Sequence, residues 1–302
     1  MKNTFVSRRP VSLLTGATVM LVALVSIVPS RIQAQGGRGR GGGAAAPPIT
    51  GQSASAVDLT GYWETIITED WRWRMVTPPK GDYQSVTLNQ AARTVADAWD
   101  PDKDTAAGLQ CKSYGAAAVM RIPGRIHVIW KDPNTLQIDT EAGTMTRLLH
   151  FDHGAVQGER EANGELQIDR SIASMVNPPA AETNTWQGYS SAHWVLPGVL
   201  GAGVNGGGGG GGRGGGLMPQ TLKVVTTHMR EGYLRKNGVP YSANAVVTEY
   251  INAFPEADGG PWLLVTNFVD DPQYLAQPFA TSTHYKKLAD GSAWKPNACV
   301  AK

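Results

Sequence analysis

From residue 59 to 75 the chain reads LTGYWETIITEDWRWRM, with apolar and polar side chains in alternation. Leu59, Trp63, Ile67, Trp71, Trp73 and Met75 share one parity, and Thr60, Glu64, Thr68, Asp70, Arg72 and Arg74 share the other. Period two is the geometry of a half-buried strand, so the pattern predicts a strand with its tryptophans on one side. RIHVIWK repeats the alternation with Ile126, Val128 and Trp130, and TLQIDT repeats it with Leu136 and Ile138. TMTRLLHF, ELQIDRSI, TLKVVTTHM, AVVTEYI, WLLVTNFV and ATSTHYKK read likewise, with turn signals such as Asp132-Pro133-Asn134 and Asp290-Gly291 between or beyond them. LNQAARTVADAW, 88–99, differs: Leu88, Ala91, Ala92, Val95 and Trp99 fall on one helical face, and Pro101 stops the helix. About ten strands with one short helix do not alternate as βαβ units. An all-β fold is expected, an antiparallel sheet closed into a barrel, because closure removes exposed edges. A two-sheet β-sandwich is the alternative.

The pattern is absent from three stretches. In residues 1–34, Lys2, Arg8 and Arg9 precede an apolar run from Leu13 to Val28, and Ile32-Gln33-Ala34 offers a cut before Gln35. That is the layout of a signal peptide, and it predicts a periplasmic or secreted protein. The run is short for a membrane span, so no stable span is expected once the signal is removed. Arg8-Arg9 also loosely resembles a twin-arginine export signal, which Pro10 fits badly. Residues 35–57, QGGRGRGGGAAAPPITGQSASAV, have the composition of a flexible linker. GVNGGGGGGGRGGGLMPQ, 203–220, suits neither strand nor helix and predicts a long surface loop inside an otherwise single domain, 58–302.

Removing the signal changes the charge. Four of the 27 basic residues and none of the 25 acidic ones fall within 1–34, which leaves 23 against 25 and a formal charge of −2. Nothing in that balance asks for a nucleic-acid partner. The two cysteines, Cys111 and Cys299, suit an oxidising compartment, where one disulfide would tie the first third of the fold to its C-terminus. The chain-entropy model sets a ceiling of roughly 4–5 kcal/mol for so long a loop. Two buried free thiols are the alternative.

Gly61-Tyr62-Trp63 resembles the G-x-W opening of lipocalin-like (calycin) barrels, which implies a Trp plugging one end and a mouth for an apolar ligand at the other. A broader resemblance spans nearly all of 58–302. Asp58-Leu59-Thr60-Gly61-x-Trp63, Cys111 with GAAAVMRIPGR, Arg147 before LLHFD, WQGYSSAHW, KNGVPYSANAVVTEY, VDDPQYLAQPF and Cys299 come in order. Together they resemble a large, mostly uncharacterised family of exported β-rich bacterial proteins. Typical members read nearer G-x-S-x-G-x-W-E-G-D in the fourth block and G-x-P-H-S-x-x-L-x-x-x-E-R in the fifth. Here Val195 follows Ala192-His193-Trp194, and Tyr241 stands where a His is usual. The resemblance implies fold and compartment and transfers no activity.

Candidate chemistry falls into four groups. Arg147, His193, Glu249 and Asp271, with Trp194 and Tyr250 beside them in sequence, are candidates to line one cavity. His193, Glu249 and Asp271 would then be the catalytic set for acid–base work, and Arg147 would clamp an anion. The alternative is structural: Arg147 and Glu249 would form a buried ion pair, and Asp271-Pro272 would only shape a turn. The six histidines include HFDH at 150–153, but no H-x-H with a downstream Glu and no H-E-x-x-H occurs, so neither metal nor other cofactor is expected. GYSSA, 188–192, comes within a letter of a nucleophile elbow, yet HWVLPGVLGAGVNGG directly after it cannot supply the helix an elbow needs. Nine Trp and nine Tyr against five Phe suit either a filled barrel interior or stacking against a planar ligand.

The leading expectation is a small, partly apolar molecule, aromatic or glycosidic, bound inside the barrel. Trp63 would close one end, with Trp71, Trp73, Arg147, Trp194 and Tyr250 around the ligand. One alternative is a periplasmic hydrolase, lyase or isomerase using His/Glu chemistry. Another is a cell-envelope interaction protein displaying its linker and Gly-rich loop. Oligomeric state is not encoded in any of these features.

Overall fold

A computed structural model of the chain describes residues 47–157, 174, 176–195, 221–256 and 260–302. The expected signal peptide, the linker up to residue 46, the expected strand ELQIDRSI and the Gly-rich loop lie outside the described residues. The strands are β1 (Gly61–Ile66), β2 (Arg125–Asp132), β3 (Thr135–Thr140), β4 (Met145–His150), β5 (Val156–Gln157) and β6 (Tyr189–Val195). They continue with β7 (Thr221–Thr227), β8 (Gly232–Arg235), β9 (Val239–Tyr241), β10 (Val246–Glu256), β11 (Gly260–Asp270) and β12 (Phe279–Lys287). Helices α1 (Trp71–Arg74), α2 (Gln90–Asp97) and α3 (Pro101–Ala106) all lie between β1 and β2.

Nine strands close a barrel in the order β4-β3-β2-β1-β12-β11-β10-β7-β6, with β5 outside the ring and β8–β9 a separate hairpin. Neighbours within that order are antiparallel, but the ring closes through a parallel contact in which Leu149 faces Ser190 and His150 faces Ser191. The barrel is therefore mixed, a correction to the antiparallel expectation. Alternation marks a strand without marking its direction. A parallel return needs a crossover of a dozen or more residues, which the segment from His150 to Tyr189 supplies.

The inward side of the strands is mostly apolar, with Arg147, Thr226 and Glu249 among its polar exceptions. Trp63, Leu136, Ile138, Leu149, Trp194, Leu222 and Tyr285 are all buried in one cluster that fills the interior. One end of that core is closed by the residues leading into β1. The Trp63 indole N–H donates to the Leu59 carbonyl at 2.9 Å, and the Trp194 indole N–H donates to the Gly51 carbonyl at 2.7 Å. Gly51 lies flat on Phe151, where a Cβ would come within 2.4 Å of the ring. The last residues of the expected linker are thus part of the barrel end. A second cluster, with Leu88, Ala92, Ala96, Val239, Tyr241 and Phe279, packs α2 and the β8–β9 hairpin over the opposite end.

The expected long first strand stops at Ile66. Asp70 takes a left-handed conformation (φ 52°), and Trp71–Arg74 then forms a single helical turn. Asp70 and Glu69 are held there by Arg121 and Arg74, ionic contacts that alternation within 59–75 does not register. The helix expected at 88–99 is α2, capped by the Asn89 side chain, which accepts from the Ala92 N–H at 3.0 Å. Pro101 ends it and, at the first turn of α3, starts the next.

Candidate functional site

At the end covered by α2 and the hairpin, a cleft of about 510 Å³ opens between four segments. Trp73 to Pro78 form one wall and Tyr114, Ala118, Arg121 and Ile122 another. Leu234, Arg235 and Lys236 come from the hairpin, and Asn297, Ala298 and Val300 from the C-terminal tail. The Cys111–Cys299 disulfide pins that tail, joining residues 188 apart. The Asn297 N–H adds a bond to the Glu141 carbonyl at 2.9 Å, and the Val300 N–H one to the Tyr114 hydroxyl at 3.3 Å.

Three guanidinium groups converge in the cleft. Arg74, Arg121 and Arg235 are 8%, 6% and 4% exposed. Arg74 pairs with Glu69 and donates from Nε to the Arg121 carbonyl at 2.9 Å. Arg121 Nη2 donates to Asp70 Oδ2 at 2.7 Å. Arg235 bonds only neutral groups among the described residues, donating to the Gln84 carbonyl and to Ser85 Oγ, each at 2.7 Å. Its guanidinium lies 5.0 Å from the centre of the Trp73 ring and 5.7 Å from that of Phe279, and Arg121 lies 5.1 Å from Phe279. Aromatic faces offset part of the cost of burying a cation, and neutral hydrogen bonds offset part of the rest. Burial pushes the Arg121 pKa down to about 10, opposed by the Asp70 carboxylate and assisted by Arg235 and Arg74. Burial also lowers that of Arg235, against the pull of Asp70 and Asp82.

Of the residues expected around a ligand, Trp73 lines this cleft. Trp71 is 69% exposed on the same helical turn and faces a shallow neighbouring hollow. Both sit on a helix at the end of the barrel, not on a strand wall inside it, which corrects the expected placement. Trp194 is core, with its one polar atom satisfied by Gly51.

Arg147 and Glu249 do meet, inside the barrel. Nη1 reaches Oε1 at 3.0 Å and Nη2 reaches Oε2 at 2.5 Å, with both residues fully buried. Thr226 Oγ1 accepts from Nη2 at 3.4 Å. His193 does not join them. It pairs across the sheet with Lys223, and Lys223 with Tyr250, so His193 and Tyr250 share the outer face while Glu249, one residue along, points inward. Asp271 closes a turn, accepting from the Ser242 N–H and hydroxyl at 2.6 and 2.8 Å and from the Gln273 N–H at 3.1 Å. His193, Glu249 and Asp271 thus occupy three separate environments.

In the HFDH segment, His150 meets Glu182 at 2.9 Å and stacks on Tyr189, while Asp152 accepts from Tyr189 and Ser191. Among the described residues no group of three or more His, Cys, Asp or Glu is placed to hold a metal ion. No described helix is long and apolar enough to cross a membrane.

Sequence reasoning passed over Arg74, Arg121, Arg235 and Tyr114. The only local signal is WRWR at 71–74, where apolar and cationic side chains alternate in a segment that turns out to be helical. Compared with protein-family models, curated proteins and solved structures, the chain matches none.

Proposed function

We propose that this is an exported binding protein, periplasmic or secreted, whose ligand is a small, partly apolar molecule seated in the cleft at the end of the barrel. The observation that carries the reading is the cleft itself: a concavity of about 510 Å³ with the Trp73 and Tyr114 rings and the aliphatic Ile122, Leu234 and Val300 in its walls. Ligand sites are typically concave, mostly apolar and furnished with a few fixed polar groups. The barrel interior is a poorer seat, because Trp63, Trp194, Tyr285 and their neighbours already occupy it. The resemblance to lipocalin-like barrels agrees with a ligand at a barrel mouth and contributes no residue of the cleft. The disulfide agrees with an oxidising compartment. The acid–base alternative loses support, since His193 and Glu249 point to opposite faces of the sheet.

Native mass spectra of protein purified from its own host test the proposal. A stoichiometric adduct is expected that leaves on mild denaturation and is missing from Trp73→Ala. A bare mass for the parent protein, or an adduct that Trp73→Ala retains in full, would count against the cleft.

A further inference from the structure

Accepting the cleft as the ligand's seat, we infer that the ligand carries an oxyanion, a carboxylate or a phosphate, held by Arg235 and Arg121. Charge is the first argument. Arg74, Arg121, Arg235 and Lys236 line the cleft and Arg72 the hollow beside it, while the carboxylates that pair with or act on these arginines are Glu69, Asp70 and Asp82. Each carboxylate is already engaged: Glu69 with Arg74, Asp70 with Arg121, and Asp82 with Arg72 at 2.9 Å. Arg235, 96% buried by its 4% exposure, is left with neutral partners.

Unmet donors are the second argument. Nε of Arg235, Nε of Arg121 and Nη2 of Arg74 have no hydrogen-bond partner among the described residues, and each atom is itself shielded from solvent, so an anion would reach them only as the guanidinium shifts toward the cleft. A planar guanidinium presents its donors as a fork that matches the two oxygens of a carboxylate or phosphate. The bland explanation is that Arg235 merely clamps the loop at Gln84 and Ser85. That clamp uses two neutral acceptors and leaves the positive charge where it was, in a region that already holds two other buried guanidiniums. An incoming anion would neutralise it. Trp73, against which Arg235 stacks, would lie beside an apolar or aromatic body attached to that anion.

Calorimetric titration of the full chain with 2-naphthoate, 2-naphthyl phosphate and the neutral 2-naphthamide tests this. Either acid is expected to bind at least about tenfold more tightly than the amide, with the preference shrinking as salt is raised. Whichever acid is stronger distinguishes a carboxylate from a phosphate ligand. Arg235→Gln should bring the acid-to-amide ratio close to one. Arg235→Lys, which keeps the charge and loses the fork, should give an intermediate ratio, and it serves as the reading should the Gln variant not fold. If the amide binds as well as the acids, and Trp73→Ala weakens all three, the oxyanion inference falls while the cleft stands. If none of the probes binds, both fall.

Discussion

Glu249→Gln is the substitution that most directly probes the interior of this barrel. The Arg147–Glu249 pair is two-pronged, at 3.0 and 2.5 Å, with exposures of 1% and 0%. At an effective dielectric constant of about 20, two unit charges about 4 Å apart attract by about 4 kcal/mol. Gln fills the same space and still accepts a hydrogen bond, but leaves the guanidinium buried without a counter-charge. Breaking a buried pair from one side costs about 3–5 kcal/mol. At roughly 2–4 °C per kcal/mol for a domain of this size, the melting temperature should fall by about 6–20 °C. Arg147→Met combined with Glu249→Leu removes both charges and fills the space with apolar atoms. That double variant should lie within about 1 kcal/mol of the parent or above it. Equilibrium unfolding in urea, which leaves electrostatics unscreened, measures all three proteins. A Glu249→Gln cost below about 1 kcal/mol would refute the reasoning, because exposed pairs are worth no more than that. So would a double variant as unstable as the single one.

Two more outcomes are expected from the same geometry. Replacing Cys111 and Cys299 together by Ser releases a loop closed across 188 residues, for which the chain-entropy ceiling is about 5 kcal/mol. A lower melting temperature and faster amide exchange at 297–300 are expected, whereas unchanged values for both would show that the tail is held by its hydrogen bonds alone. At alkaline pH the folded state should weaken. Burial raises the pKa of Tyr83 to about 12, with the Asp97 contact adding to it, and raises those of Tyr189, Tyr233, Tyr241 and Tyr285 as well. Unfolded tyrosines release their protons near pH 10 while the folded ones keep theirs, so the unfolded state binds fewer protons and stability falls as pH rises from about 10. The lowered values of Arg121 and Arg235 act with the opposite sign, but they are two groups against five. Unfolding followed by urea at pH 8, 10 and 11 checks this, and rising stability across that range would contradict it.

Parts of this architecture were open to direct reading. Alternation identified β2, β3, β10, β11 and β12 and put Trp63, Val128 and Ile138 on the inward side, because each inference needs only neighbours along one strand. The ion-pair alternative for Arg147 and Glu249 was also available, since both stand on strands between apolar residues. Their contact, across 102 residues of sequence, was not. The same limit hid the cleft. Arg74, Arg121 and Arg235 come from a helical turn, a 3-10 turn and a hairpin, and only Arg74, beside Trp73, has a neighbour in sequence that pointed to a site.

The sequence by itself determined the strand-rich class, the faces of the strands and the short helix at 88–99, because periodicity is a property of local backbone geometry. It also supplied the two cysteines that the fold joins as Cys111–Cys299. Only the tertiary structure decided that the barrel closes through a parallel contact, that 59–75 breaks at Asp70, and that His193 and Glu249 face opposite ways. Those outcomes depend on strand direction, on ion pairs between distant segments and on which edges meet. A hydrophobic pattern is the same read in either direction, and it carries no record of the partner that a charge will find.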